Sequence, residues 1–175
     1  MNLKDHIRSI PDFPKPGILF YDISTLLAHP DAWNVALDRL SKAVSQHKPD
    51  MLAGIESRGF LVAAPLASRL GLGFTMIRKK GKLPFDTLVE DYELEYGTAS
   101  VELHKDPFKP GDNVVLVDDL IATGGTMLAA SRLIRRIGAD IVEVAAMIDL
   151  PDLGGSRKLQ EEELKVYTVC SFEGD

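Results

Sequence analysis

Residues 113–126 read Asn113-Val114-Val115-Leu116-Val117-Asp118-Asp119-Leu120-Ile121-Ala122-Thr123-Gly124-Gly125-Thr126. The apolar run up to Val117, after the turn signal Pro110-Gly111, predicts a buried strand that ends in two adjacent carboxylates. A Gly-Gly pair bracketed by Thr123 and Thr126 then opens a helix whose buried face is Met127, Ala130, Ile134 and Ile137. Glycines let backbone amides converge on one point, and a helix N-terminus adds partial positive charge there. With the two threonine hydroxyls as further donors, the segment predicts a phosphate cradle. Asp118 and Asp119 suit what the phosphate is attached to, namely sugar hydroxyls or a magnesium ion. No lysine follows the glycines, so this is not the nucleotide-triphosphate loop, and the glycine spacing is not that of the dinucleotide fingerprint. A turn that served only to join strand to helix would avoid the cost of two acids at the end of a buried strand.

Similar units flank this segment on both sides. Met51–Ile55 predicts a strand, and Phe60, Ala63, Ala64, Ala67 and Leu70 mark a helix that stops before Gly71. Phe74–Ile77 predicts a second strand, ending in Arg78-Lys79-Lys80-Gly81-Lys82. Downstream, Ile141–Ile148 is apolar in both phases, as a strand covered on both faces would be, and Val166–Val169 is a last short one. From Met51 onward strands alternate with helices, which predicts an α/β domain with a largely parallel sheet. Ligands in such sheets sit at the carboxyl ends of the strands, so chemistry is expected after Ile55, Ile77 and Val117. Between Lys82 and Leu103 the pattern is weaker, with short strands at Leu88-Val89 and Ala99-Ser100-Val101 around a turn at Gly97. At the N-terminus a short helix is predicted over Leu3–Ser9, followed by the extended, proline-rich segment 11–17. Asp31 is expected to cap a helix with Trp33, Leu37, Leu40 and Val44 on one face.

With 175 residues the chain is expected to be one domain. Asp and Glu number 26 against 20 Lys and Arg, a net charge of −6, which argues against binding nucleic-acid polymers but not against a small anionic ligand. One cysteine, Cys170, cannot pair internally and fits a reducing compartment. No apolar run approaches the roughly 18 residues of a membrane helix, and residues 1–10 are charged where a signal peptide is apolar. A cytoplasmic location is expected.

At this point the chain resembles a known family. Val114 to Thr126 looks like the 5-phosphoribosyl-1-pyrophosphate (PRPP) motif of the type I phosphoribosyltransferases. Further stretches support it in order: Ile7-Arg8-Ser9-Ile10-Pro11-Asp12-Phe13-Pro14, Pro16-Gly17-Ile18-Leu19-Phe20, Glu56-Ser57-Arg58-Gly59-Phe60, Arg78-Lys79-Lys80-Gly81-Lys82-Leu83-Pro84 and Leu94-Glu95-Tyr96-Gly97. Taken jointly they resemble the branch of the family that acts on adenine. The resemblance implies a Rossmann-like α/β fold, its mostly parallel central sheet flanked by helices. It implies a single domain over 1–175, with an N-terminal hood over 1–30 and a flexible closing loop over 79–103. The implied reaction is purine salvage: adenine plus PRPP gives AMP plus pyrophosphate, with Mg2+ held mainly through PRPP and water. A homodimer without nucleic-acid or membrane partners is the expected assembly.

The resemblance also implies roles for residues. Ala122, Thr123, Gly124, Gly125 and Thr126 would hold the 5′-phosphate, and Asp118 and Asp119 would face the ribose hydroxyls. Ser57, Arg58, Arg78, Lys79, Lys80 and Lys82 would surround the pyrophosphate, and the peptide before the serine, Glu56-Ser57, is commonly cis in the family. Leu19, Phe20 and Tyr21 would form the hood over adenine, with Phe20 stacked on the base and Tyr21 standing where many members have arginine. Glu95 would close over the site and handle a proton near N7, while Tyr96 would pack on the pyrophosphate side. By themselves the lysine run reads as a solvated loop, Phe20 as core and Glu95-Tyr96 as surface. His6, His29, His47 and His104 match no metal spacing. Cys170 reads as a small buried hydrophobe and residues 161–163 as a solvated acidic turn. Two alternatives stay open: a phosphoribosyltransferase for another purine base, which the 11–17 segment disfavours, and a non-catalytic PRPP- or purine-sensing module.

Overall fold

The structure is a computed structural model and describes residues 1–174. The helix expected over Leu3–Ser9 is a single 3-10 turn, Leu3–His6, because β1 (Arg8–Ile10) takes its backbone partners from β2 (Phe20–Asp22) instead. These two antiparallel strands form a small separate sheet joined through the proline-rich loop. α1 (Ser24–Leu27) and α2 (Pro30–Ser45) follow. Asp31 is not the cap of α2; Pro30 occupies the first turn, so the frame starts earlier and His29 Nδ1 accepts from the Ala32 N–H at 3.2 Å.

The main sheet is built from β3 (Met51–Ile55), β4 (Gly73–Lys79), β5 (Thr87–Glu93), β6 (Thr98–His104), β7 (Asn113–Ile121), β8 (Asp140–Asp149) and β9 (Val166–Ser171). α3 (Arg58–Leu70), α4 (Gly125–Ile137) and the short α5 (Gly155–Glu161) connect them. The spatial order is β5-β6-β4-β3-β7-β8-β9, parallel from β4 through β9, with β6 and β5 added antiparallel at one edge. Side chains of β7 explain the layering. Val115 and Val117 enter the core beneath α2 and α3 with Leu40 and Leu66, while Val114 and Leu116 enter the core beneath α4 with Leu133 and Ile134. A strand apolar in both phases has both faces covered.

Two stretches differ from their expected form. Residues 87–104 make one regular hairpin, paired from Thr87↔His104 to Glu93↔Thr98, rather than two short strands. The other is β7, which does not end at the acids but runs on to Ile121, paired with Asp149 of β8. On its other side the pairing with β3 stops at Val117↔Gly54. Asp118 and Asp119 therefore sit in a strand that is paired on one side and open on the other. The opening lies where chain connections diverge to either side of β3 and β7, the usual ligand crevice of such sheets. Among the described residues no helix is long and apolar enough to cross a membrane.

Candidate active site

A cavity of about 450 Å3 fills this opening, lined by Glu56, Ser57 and Arg58 after β3, Lys79 at the end of β4 and Lys82 beyond it, and Asp118, Asp119 and Thr126 after Val117. A close approach of α3 makes it possible. A Cβ on Gly59 would stand 2.9 Å from Asp118 Oδ1 and 3.1 Å from the Val117 carbonyl, so only glycine brings the first turn of α3 this near. The Glu56–Ser57 peptide that leads into the turn is cis.

The cradle forms a smaller cavity of about 110 Å3, lined by Ala122, Thr123, Gly124, Gly125 and Thr126. Gly124 adopts φ +83°, a backbone that side chains disfavour. Gly155 packs against it, donating its N–H to the Ala122 carbonyl at 3.0 Å. The Thr126 hydroxyl donates to the Tyr92 hydroxyl at 3.1 Å, tying the cradle to β5.

The two acids have different surroundings. Asp119 is buried and accepts from Arg58 Nε at 2.6 Å. Asp118 accepts the Asp119 N–H at 2.8 Å, and burial, reinforced by the charge of Asp119, pushes its carboxyl well above the usual carboxylate range. The Arg58 guanidinium lies 5.2 Å from the Phe20 ring centroid, within cation–π range, and Phe13 meets Phe20 edge-on at 5.1 Å. The small N-terminal sheet is thereby joined to the cavity.

Other residues expected at the site are placed differently. Tyr21 is buried and stacks on Phe172 at 4.2 Å, so its ring faces the core, and Leu19 is partly exposed outside the cavity lining. Arg78 turns back toward Glu56 at 3.5 Å, and Lys80 is exposed away from the cavity. Glu95 lines a separate cavity of about 300 Å3 beside the cradle, with Tyr92, Thr123, Thr126 and Lys158. Tyr96 is 87% exposed and lines no part of the main cavity.

Glu56, quoted above only within a matching stretch, organises the basic side. Its side chain is almost buried and takes the Lys79 N–H, Lys82 Nζ at 3.0 Å and Arg78. Burial pushes its carboxyl up, but the Lys79 N–H and the two cations outweigh that and hold it below its ordinary value. Glu102 of β6 was missed as well; it accepts the N–H groups of Lys82 and Leu83 at 2.9 and 2.6 Å. The register Arg78↔Glu102 places it there, and only a structure gives that register.

The site thus joins a cavity flanked by Lys79 and Lys82 to a glycine-built turn, with a pair of acids between them. A family model described as phosphoribosyl transferase domain matches residues 22–172. The chain is similar to adenine phosphoribosyltransferase of Marinobacter nauticus, 66% identical over 174 residues, covering 99% of this chain and 97% of that one. Among solved structures it is similar to adenine phosphoribosyltransferase of Thermoanaerobacter pseudethanolicus, with TM-score 0.93, 46% identity and coverage of 97% and 98% of the two chains. It also resembles the Giardia lamblia enzyme complexed with 9-deazaadenine, with TM-score 0.92, 33% identity and coverage of 99% of each. The chain belongs to the phosphoribosyl transferase family, among its adenine phosphoribosyltransferases.

Proposed function

We infer that the chain transfers the 5-phosphoribosyl group of PRPP to adenine, giving AMP and pyrophosphate in purine salvage. The observation that carries this reading is the sequence of chemistries along one crevice. An uncharged glycine cradle suits a phosphate monoester, two acids suit a diol, and Lys79 and Lys82 suit a pyrophosphate.

In this reading the amides and hydroxyls of residues 122–126 fix the 5′-phosphate. Asp118 and Asp119 meet the ribose hydroxyls, and the negative charge of Asp119 stabilises the oxocarbenium character that glycosyl transfer develops. Burial favours the protonated form of Asp118, while Arg58 keeps Asp119 paired. Ser57, Lys79 and Lys82 hold the leaving pyrophosphate, with Arg78 acting through Glu56. Phe20 stacks on the base, with Leu19 and Tyr21 offering backbone groups beside it. Glu95 handles the proton at N7 after the tip of the β5–β6 hairpin folds over, with Tyr96 covering the pyrophosphate and excluding water.

Among the described residues no group of three or more His, Cys, Asp or Glu side chains is arranged to hold a metal ion. Asp118 and Asp119 face the ribose hydroxyls in this reading and are not assigned as direct ligands, so magnesium would take most of its oxygens from PRPP and water. When bound, magnesium neutralises charge on the departing pyrophosphate. We also propose a single domain with the N-terminal 1–30 segment as hood and 79–103 as closing element, acting in the cytoplasm as a homodimer. Unpaired, buried Cys170 supports a reducing compartment, and exposed Leu61 of α3 and Met76 of β4 offer apolar surface to a second copy.

The test is turnover with PRPP and Mg2+ against adenine, hypoxanthine, guanine and xanthine. Adenine alone should yield its nucleotide and pyrophosphate. Preference for another base overturns the base assignment, and PRPP binding without turnover on any base indicates a sensing module.

A further inference from the structure

The cradle has no cation of its own. Residues 122–126 present amides and two hydroxyls, and the one ionisable side chain among the described residues lining that cavity is an acid, Asp118, whose burial favours its protonated form. A phosphate monoester carries about −1.5 to −2 charge near pH 7, and the cavity lining itself supplies no positive side chain to balance it.

α5, a helix that sequence patterning does not reveal, brings a cation to this point. Its first residue lies backbone to backbone on the cradle. A Cβ on Gly155 would stand 2.4 Å from the Ala122 carbonyl oxygen and 2.8 Å from the Gly124 nitrogen. Lys158 follows three residues later, one turn on and therefore on the same face. Its Nζ lies 3.4 Å from the Thr123 carbonyl, and it lines the cavity of about 300 Å3 with Thr123, Gly125 and Thr126. That single long contact leaves most of the ammonium's three donors unspent. Glu93 and Glu95 line the same cavity, yet among the described residues no carboxylate lies within ion-pair distance of Lys158.

We propose that Lys158 is the cationic contact of the 5′-phosphate subsite and sets its preference for phosphorylated over unphosphorylated ribose. This rests on the reading of the cradle given above. Close packing of Gly155 holds the ammonium at the outer rim, where it meets the phosphate oxygens that the backbone amides leave open.

The experiment is calorimetric titration of the wild-type chain, Lys158→Ala and Lys158→Arg with ribose 5-phosphate and, separately, with pyrophosphate. Lys158→Ala should weaken ribose 5-phosphate binding by about ten- to a hundredfold, the range of a charge-assisted hydrogen bond. Pyrophosphate affinity should change by less than about twofold, and Lys158→Arg should restore most of the loss. Wild-type affinity that survives Lys158→Ala overturns the role of Lys158 alone. Equal losses for both ligands also overturn it, since they mark a general change in field or fold. A wild-type chain that binds no ribose 5-phosphate overturns the cradle itself, and Lys158 with it.

Discussion

Arg58 and Asp119, 61 residues apart in sequence, meet across the opening between β3 and β7, with Arg58 Nε donating to Asp119 Oδ2 at 2.6 Å. The same guanidinium faces the Phe20 ring, so one side chain connects an acid of the crevice to the N-terminal sheet. The family resemblance assigns Arg58 to pyrophosphate, whereas here its Nε is already committed to Asp119.

Arg58→Ala should therefore damage more than pyrophosphate affinity. It leaves a buried carboxylate unpaired beside a second one and withdraws the support under Phe20. We expect kcat/KM to fall about 10- to 100-fold, with the KM for adenine rising as well as that for PRPP. Steady-state kinetics with each substrate varied in turn check this. A loss confined to pyrophosphate in the reverse reaction would contradict the pairing role.

Asp118 makes a stability prediction with a definite sign. Its folded carboxyl is held well above its unfolded value by burial and by Asp119, so over the interval between the two values the folded chain holds a proton that the unfolded chain has released. Stability falls as pH rises through that interval. Asp118→Asn keeps the oxygen that accepts the Asp119 N–H and removes the titration. Melting curves should show the variant matching the wild type near pH 4 and exceeding it at higher pH. Each recovered kcal/mol should appear as about 2–4 °C at this chain length. In the proposed ribose contact the variant presents an amide NH2 where the second carboxyl oxygen stood, so turnover should be nearly lost.

How far the sequence is legible follows from what stabilises each part. β3, β7 and β8 can be read because they are apolar in both phases and buried on both faces. The β5–β6 hairpin is harder to read, because its two strands hold each other at the sheet edge through pairs such as Ser100 with Asp91, which leave no apolar run behind. At the site, Asp118, Asp119 and the glycines carry their chemistry in contiguous residues. Glu56, Glu102 and Lys158 carry theirs across space, to backbone groups of segments between 19 and 35 residues away. No spacing rule reaches such contacts.

Asp22 clamps the N-terminal sheet. It accepts from the Ser24 hydroxyl at 2.6 Å, from Arg8, and from the Ser24 N–H at 2.9 Å, and these bonds lower its carboxyl to about 2. The clamp is fully present above the unfolded value near 4 and is lost as pH falls toward 2. Asp22→Asn should loosen the register Arg8↔Asp22 and displace Phe20, raising the KM for adenine about three- to tenfold with little change for PRPP. Acid unfolding should distinguish the variant from the wild type above pH 4 and bring the two together below pH 2.

Glu102 tests whether the basic rim is positioned or merely present. It is buried in β6, and one of its oxygens takes both the Lys82 and the Leu83 N–H groups. Burial pushes this carboxyl up, yet the N–H groups of Leu83, Gly81 and Lys82 outweigh it and hold the group below its ordinary value. The segment that carries Lys82 into the cavity thus hangs on one ionised side chain. Glu102→Ala leaves buried donors unpaired, so it should destabilise the chain by about 2–4 kcal/mol and raise the KM for pyrophosphate in the reverse reaction about tenfold. Glu102→Gln keeps the accepting oxygen and should restore pyrophosphate affinity to within about threefold at neutral pH. The two differ below the ordinary glutamate value, where the wild-type chain loses the contribution of Glu102 as pH falls while the glutamine variant stays level. Parallel pH profiles for wild type and Glu102→Gln would mean that the negative charge is irrelevant and that the oxygen alone holds the loop.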